Sequence, residues 1–133
     1  MGQQQLLLIV LGVIIVGIAV VVGINLFNAN AEESAKDTLV SEGTNIGAMA
    51  QQFYKKPVAL GGGGNSFLTT NGATTQFTIP PRLASTASAD WTVVNTDTTA
   101  TLTGIPLDPG YAAAFDVTVT VGPTTIASVI NLK

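Results

Sequence analysis

Apolar and polar positions change their spacing twice along this chain. From Leu6 to Ile24 the run "LLLIVLGVIIVGIAVVVGI" carries no charge and almost no polar group. A helix over those 19 residues would be about 28 Å long at about 1.5 Å per residue, close to the hydrocarbon thickness of a bilayer. Beyond it the pattern turns amphipathic. Leu39, Gly43, Ile46, Ala50 and Phe53 recur at steps of four and three and form one helical stripe, with Glu32, Glu33, Lys36, Asp37 and Glu42 off it. No proline occurs before Pro57, so the spacing predicts a single helix from near the N-terminus to about Lys55, stopped by Pro57 and Gly61–Gly64. The competing reading ends an anchor at Ile24 and makes "NANAEESAKD" a linker to a separate short helix. On the single-helix reading, Asn25, Asn28 and Asn30 mark the passage to water, and any of them could locally break the helix.

From Val58 onward the period is two. "TQFTI", "WTVV", "ATLTGI", "AFDVTVTV" and "IASVINL" alternate apolar residues with Thr, Ser or Asp, and "LDPGY" and "GPTT" supply turns. Phe115, Val117, Val119 and Val121 share one face of the fourth run, and Asp116, Thr118 and Thr120 share the other, as in an antiparallel sheet with one wet side. Ile126, Ile130 and Leu132 of the last run are expected on the apolar side after a hairpin at Gly122–Pro123. The expected fold is α+β: a long N-terminal helix packing Leu39, Ile46, Ala50 and Phe53 onto a small antiparallel sheet. Residues 1–56 make the helix, with 1–25 its apolar half, and residues 57–133 make the β-rich head with the glycine loop 61–64.

Composition narrows the function. The 133 residues fit one modest domain plus the apolar segment. Charged residues are 10% of the chain, the net charge is −3, and the five cations are scattered, so no basic stripe exists for nucleic acid. There is no His and no Cys, which removes imidazole and thiolate chemistry and leaves no disulfide. An enzyme is not expected, nor any cofactor or metal. The apolar run lacks the basic start and short core of a secretory signal, so it reads as a spanning segment.

Other signals have plain readings beside sharper ones. "GGGGN" follows a helix and lacks the Lys and Ser/Thr of a phosphate loop, which leaves a hinge or a close-packed loop. Asp90, Asp97, Asp108 and Asp116 lack calcium-ligand spacing and read as solvated carboxylates. Phe53, Tyr54, Trp91 and Tyr111 read as core or intersubunit packing, with an exposed aromatic patch as the alternative. The 18 threonines read as β-formers on a wet face, with O-glycosylation as the second reading.

The residues "QLLLIVLGVIIVGIAVVVGINLF", then "AMAQQFYKK", then "ALGGGGNSF" give the chain an order of parts that resembles the type IV pilins and their pseudopilin relatives. The resemblance covers the helix well and the head as architecture alone. It implies a subunit held in the inner membrane by its apolar half-helix, trimmed by a prepilin peptidase, and polymerised by the assembly machinery into a helical homopolymer outside the cell. Leu6, Leu7, Ile9, Val10 and Val13 would then pack the filament core, followed by Ile14, Val16, Ile18, Val20 and Val21. Gly12, Gly17 and Gly23 would permit the loss of helix near the middle that the family shows in filaments. Two departures stand out. The family's fifth residue is a glutamate that pairs with a neighbour's terminal amine; with Met1 as the mature end that place holds Gln5, and cleavage after Gly2 would put Leu7 there. Docking through Met1 and Gln5 would then lack a charge pair. The family's C-terminal disulfide is also missing. The expected function is a structural filament subunit, and the alternative is a monomeric single-pass membrane protein whose head binds a ligand or partner.

Overall fold

The structure, a computed structural model, describes residues 2–69 and 75–133. Met1, one of the two expected docking residues, lies outside them. The chain separates into two compact units, Met1–Ser34 and Ala35–Lys133.

Helix α1 runs unbroken over Gly2–Lys55. The single helix is as the spacing predicts: Asn25, Asn28 and Asn30 make no local break, and "NANAEESAKD", the linker of the competing reading, is helical throughout. Helix propensity explains this. Asn and Gly cost at most about 1 kcal/mol each within a helix, and only proline stops one outright. The helix ends where Pro57 follows, and the glycine loop closes it. The N–H groups of Gly63, Gly64 and Asn65 donate to the carbonyls of Phe53, Lys56 and Tyr54 at 2.9, 3.0 and 2.8 Å, which satisfies acceptors that a helix end leaves open. Gly61 sits in the left-handed region at φ 78° after a 3-10 turn at Val58–Leu60. A Cβ on Gly63 would lie 1.8 Å from the Ser66 carbonyl oxygen, so the loop is close-packed by necessity.

In the second unit the strands β1 (Ala89–Asn95), β2 (Ala100–Pro106), β3 (Phe115–Val121) and β4 (Ile126–Leu132) form one antiparallel sheet in the order β1-β2-β3-β4. Short helix α2 (Pro81–Ala84) precedes β1, and short helix α3 (Pro109–Ala114) interrupts the meander between β2 and β3. Asp108 caps α3 by accepting from the Gly110 N–H at 2.8 Å, with Pro109 at the first helical position. Hairpin closure at β3–β4 comes from the Gly122 N–H bonded to the Thr125 carbonyl at 2.8 Å. The fold is thus α+β, as the periodicities imply.

Leu39, Ile46 and Ala50 of α1 are buried against Leu102 and the Phe115, Val117, Val119 and Val121 row, and Phe53 is half-buried beside them. Two glycines let the helix approach. A Cβ on Gly43 would fall 2.6 Å from the Trp91 ring, and one on Gly47 would fall 3.1 Å from Val121.

One expectation fails in the head. Thr75–Ile79 is no strand. Its alternation arises because Phe77 and Ile79 are buried in the core while the backbone finds isolated partners: the Phe77 N–H donates to the Phe67 carbonyl, and Asn95 Nδ2 donates to the Phe77 carbonyl at 2.7 Å. This segment and Phe67 supply core that the helical stripe alone was expected to supply. Ile130 and Leu132 do lie in register with Val117 and Phe115, but they stay 38% and 74% exposed because β4 is an edge strand.

Candidate assembly surface

The surface most in need of a partner is the apolar half of α1. From Leu6 to Phe27 every large aliphatic or aromatic side chain is at least half exposed, from Leu11 at 50% to Phe27 at 78%. None of the most apolar stretch is buried within the chain, and the helix is long and apolar enough to cross a membrane. Burying one such side chain contributes about 1.5–3 kcal/mol, so a surface of this size is not left to water. Leu7, Val10, Leu11 and Ile14 follow the helical i, i+3, i+4, i+7 spacing and line a shallow groove with almost no polar surface. Ile9, Val13, Val16, Ile18, Val20 and Val21 complete the circumference, so every side of the helix is apolar.

Electrostatics reinforce this. No charged residue precedes Glu32, and no acidic side chain occupies the first turn. Gln5, like Gln3 and Gln4, is exposed, offering an amide donor and acceptor without charge. Gly12, Gly17 and Gly23 remain helical, and a Cβ placed on any of them would meet nothing within 4 Å. Nothing among the described residues therefore requires glycine at those three positions.

The head presents a different surface. On the face away from α1, Thr92, Thr103 and Thr118 stand in one cross-strand row with Val129, and Thr101 pairs with Thr120 in the next. The four aspartates are engaged separately. Asp90 accepts from Ser85, Asp97 from Ser66, Asp108 caps α3, and Asp116 accepts from Asn131 and lies 3.5 Å from Lys133. Among the described residues no three His, Cys, Asp or Glu side chains gather as a metal site would require. The aromatics lie in or against the core: Trp91 is buried, Tyr54 stacks at 4.8 Å on Phe67, Phe53 lies 5.8 Å from Phe77, and Tyr111 lies 6.2 Å from Phe115. Lys36 Nζ stands 5.4 Å from the Phe115 ring centroid.

Sequence reasoning missed two polar contacts that flank the helical stripe. Glu42 Oε2 accepts from Trp91 Nε1 at 3.2 Å and from the Thr86 hydroxyl at 3.0 Å. Glu42 flanks the stripe rather than facing solvent, and the signal was its position one residue before Gly43. Gln51 does the same on the other flank, its Nε2 donating to the Gly122 and Thr125 carbonyls at 3.1 and 3.2 Å.

Comparison of the chain with protein families, with curated proteins and with solved structures gives no match.

Proposed function

We propose that this chain is a structural subunit of an extracellular type IV pilus-like filament, polymerised through bundled apolar N-terminal helices. The observation that carries the reading is the wholly uncovered apolar surface of Leu6–Phe27 beside a head that buries its own core. A bilayer and a bundle of identical apolar helices are equivalent media for such a surface, because both satisfy a helix that keeps all its backbone bonds internal. The inner membrane would hold the subunit before assembly, with a prepilin peptidase and assembly machinery as partners, and identical copies would replace lipid afterwards. Gly12, Gly17 and Gly23 support this, since small residues let apolar helices approach closely. Gln5 would meet a neighbour by hydrogen bonding alone. The role is mechanical; the chain works without a cofactor, a catalytic centre or bound nucleic acid.

A second reading rests on the same helix: a monomeric single-pass membrane protein, since one span satisfies the apolar surface by lipid alone. Shearing cells and examining the released material by electron microscopy and mass spectrometry separates the two. Filaments built from this chain are expected. Discrete molecules recovered solely from detergent-extracted membranes would support the second reading instead.

A further inference from the structure

In the second unit, Ala35–Lys133, most charges have a partner within the chain. Glu42 accepts from Trp91 and Thr86, Asp90 from Ser85, Asp97 from Ser66 and Asp108 from the Gly110 N–H, while Asp116 pairs with Lys133 and Lys36 stands over the Phe115 ring. Among the described residues Asp37 is the one acidic side chain of this unit with no hydrogen bond or ion pair. Lys55 has none either, and both are exposed. They stand 18 residues apart on α1. That is about five turns, so they share one face, separated by about 27 Å at about 1.5 Å per residue. This face lies opposite the buried stripe of Leu39, Ile46 and Ala50. Ser41, Thr44 and Ala48 lie exposed between the two charges and add none, and the Thr44 hydroxyl folds back onto the Val40 carbonyl at 2.7 Å. The outward face of the helix in this unit therefore starts negative, ends positive and is smooth between.

We propose that Asp37 of one copy pairs with Lys55 of a second, parallel copy displaced by about 27 Å along the helix axis. This pairing rests on the filament reading and adds the axial register of its subunits. A rod that is apolar on every side has no preferred axial position against its own copies, so the register has to come from elsewhere. Charge supplies it, since complementary charges fix register more than they add affinity. Level copies bring Asp37 beside Asp37 and Lys55 beside Lys55, which repels; the displaced copy brings opposite charges together. The contact joins two different patches, and because a displacement along an axis cannot close on itself, it continues from copy to copy. Eighteen residues nearly equal the 19 of Leu6–Ile24, so copies at smaller displacements lie between the pair and pack the apolar halves. A bilayer forbids the same pairing. It holds the apolar run of every copy at one depth, and a displacement of about 27 Å would draw nearly a whole run out of a hydrocarbon layer about 30 Å thick. Asp37–Lys55 is therefore a contact of the polymer and not of the membrane pool.

Carbodiimide treatment of the wild-type chain tests this without any substitution, because it joins a carboxylate to an amine in contact with it, with loss of water. Asp37 and Lys55 of one chain are too far apart on their helix to be joined to each other. Mass spectrometry of sheared filaments is expected to find Asp37 linked to Lys55 in a ladder of dimers, trimers and longer products, and the membrane fraction is expected to lack that link. Filament yield should fall about fivefold in Asp37→Lys and in Lys55→Asp, the upper end of what an exposed ion pair contributes. Combining the two substitutions should restore it, with Trp91 fluorescence reporting an intact head throughout. A Lys55 that only complemented the helix dipole would give no such rescue. Filaments without the Asp37–Lys55 link, an equal link in membranes, or a doubly substituted chain no better than the single ones would each overturn the pairing while the filament reading stands. A wild-type chain that yields no filaments would overturn both.

Discussion

The indole nitrogen of Trp91 donates to the Glu42 carboxylate at 3.2 Å across 49 residues of sequence. The same ring is wedged between two glycines. A Cβ on Gly43 of α1 or on Gly104 of β2 would each fall 2.6 Å from its Cη2 atom. One polar contact and one steric fit thus fix the later part of α1 against β1 and β2.

Removing the acceptor should therefore cost more than its exposure implies. Glu42→Ala leaves the Trp91 N–H without a partner, while Thr86 keeps the Ala89 carbonyl. The expected loss is about 1–3 kcal/mol, the range for orphaning a buried donor. Glu42→Gln, which retains an acceptor oxygen, should lose less. Denaturant titration followed by Trp91 fluorescence checks both.

Glycines in the two units should respond oppositely to the same change. Gly43→Ala must displace the Trp91 ring and is expected to destabilise the head by about 1–3 kcal/mol. Gly12→Ala meets open space and should leave the head's unfolding midpoint unchanged. Thermal denaturation of the two variants in the same detergent compares them.

The loop that closes α1 should tolerate still less. Gly63→Ala drives a Cβ into the Ser66 backbone, which cannot rotate aside as a side chain can. A loss of at least about 2 kcal/mol is expected, with fraying of the last helical turn. Hydrogen exchange at the Gly63, Gly64 and Asn65 amides should rise in step.

What the sequence revealed depended on the range of the interactions. The helix, its stop at Pro57, the buried stripe of Leu39, Ile46 and Ala50, and the two-sided β3 strand all follow from periodicity, which is local. Thr75–Ile79 misled because alternation reports burial of Phe77 and Ile79, and burial does not require a ladder. The Glu42–Trp91 contact was illegible because nothing local marks two residues that distant as neighbours. The apolar surface of Leu6–Phe27 was fully legible, since a helix apolar on every side needs no tertiary information to be recognised.

If neighbouring helices approach at the glycines of α1, bulk there should act on assembly alone. Gly17→Leu adds apolar volume, keeps the segment suited to a membrane, and begins from a Cβ position that meets nothing within 4 Å among the described residues. Normal membrane content with sharply reduced filament yield is expected. Cell fractionation beside electron microscopy makes the comparison.

The most direct test asks whether copies of the chain cover its apolar half-helix. Filament yield should be counted in sheared material from cells making the wild-type chain, Val16→Leu or Val16→Asp, with membrane content and Trp91 fluorescence as controls for insertion and folding. A charge in an apolar bundle has no partner and cannot be hydrated there. The account predicts filaments from the wild type and Val16→Leu and none from Val16→Asp. Wild-type yield from Val16→Asp, or a wild-type chain that never leaves the membrane as polymer, would contradict it.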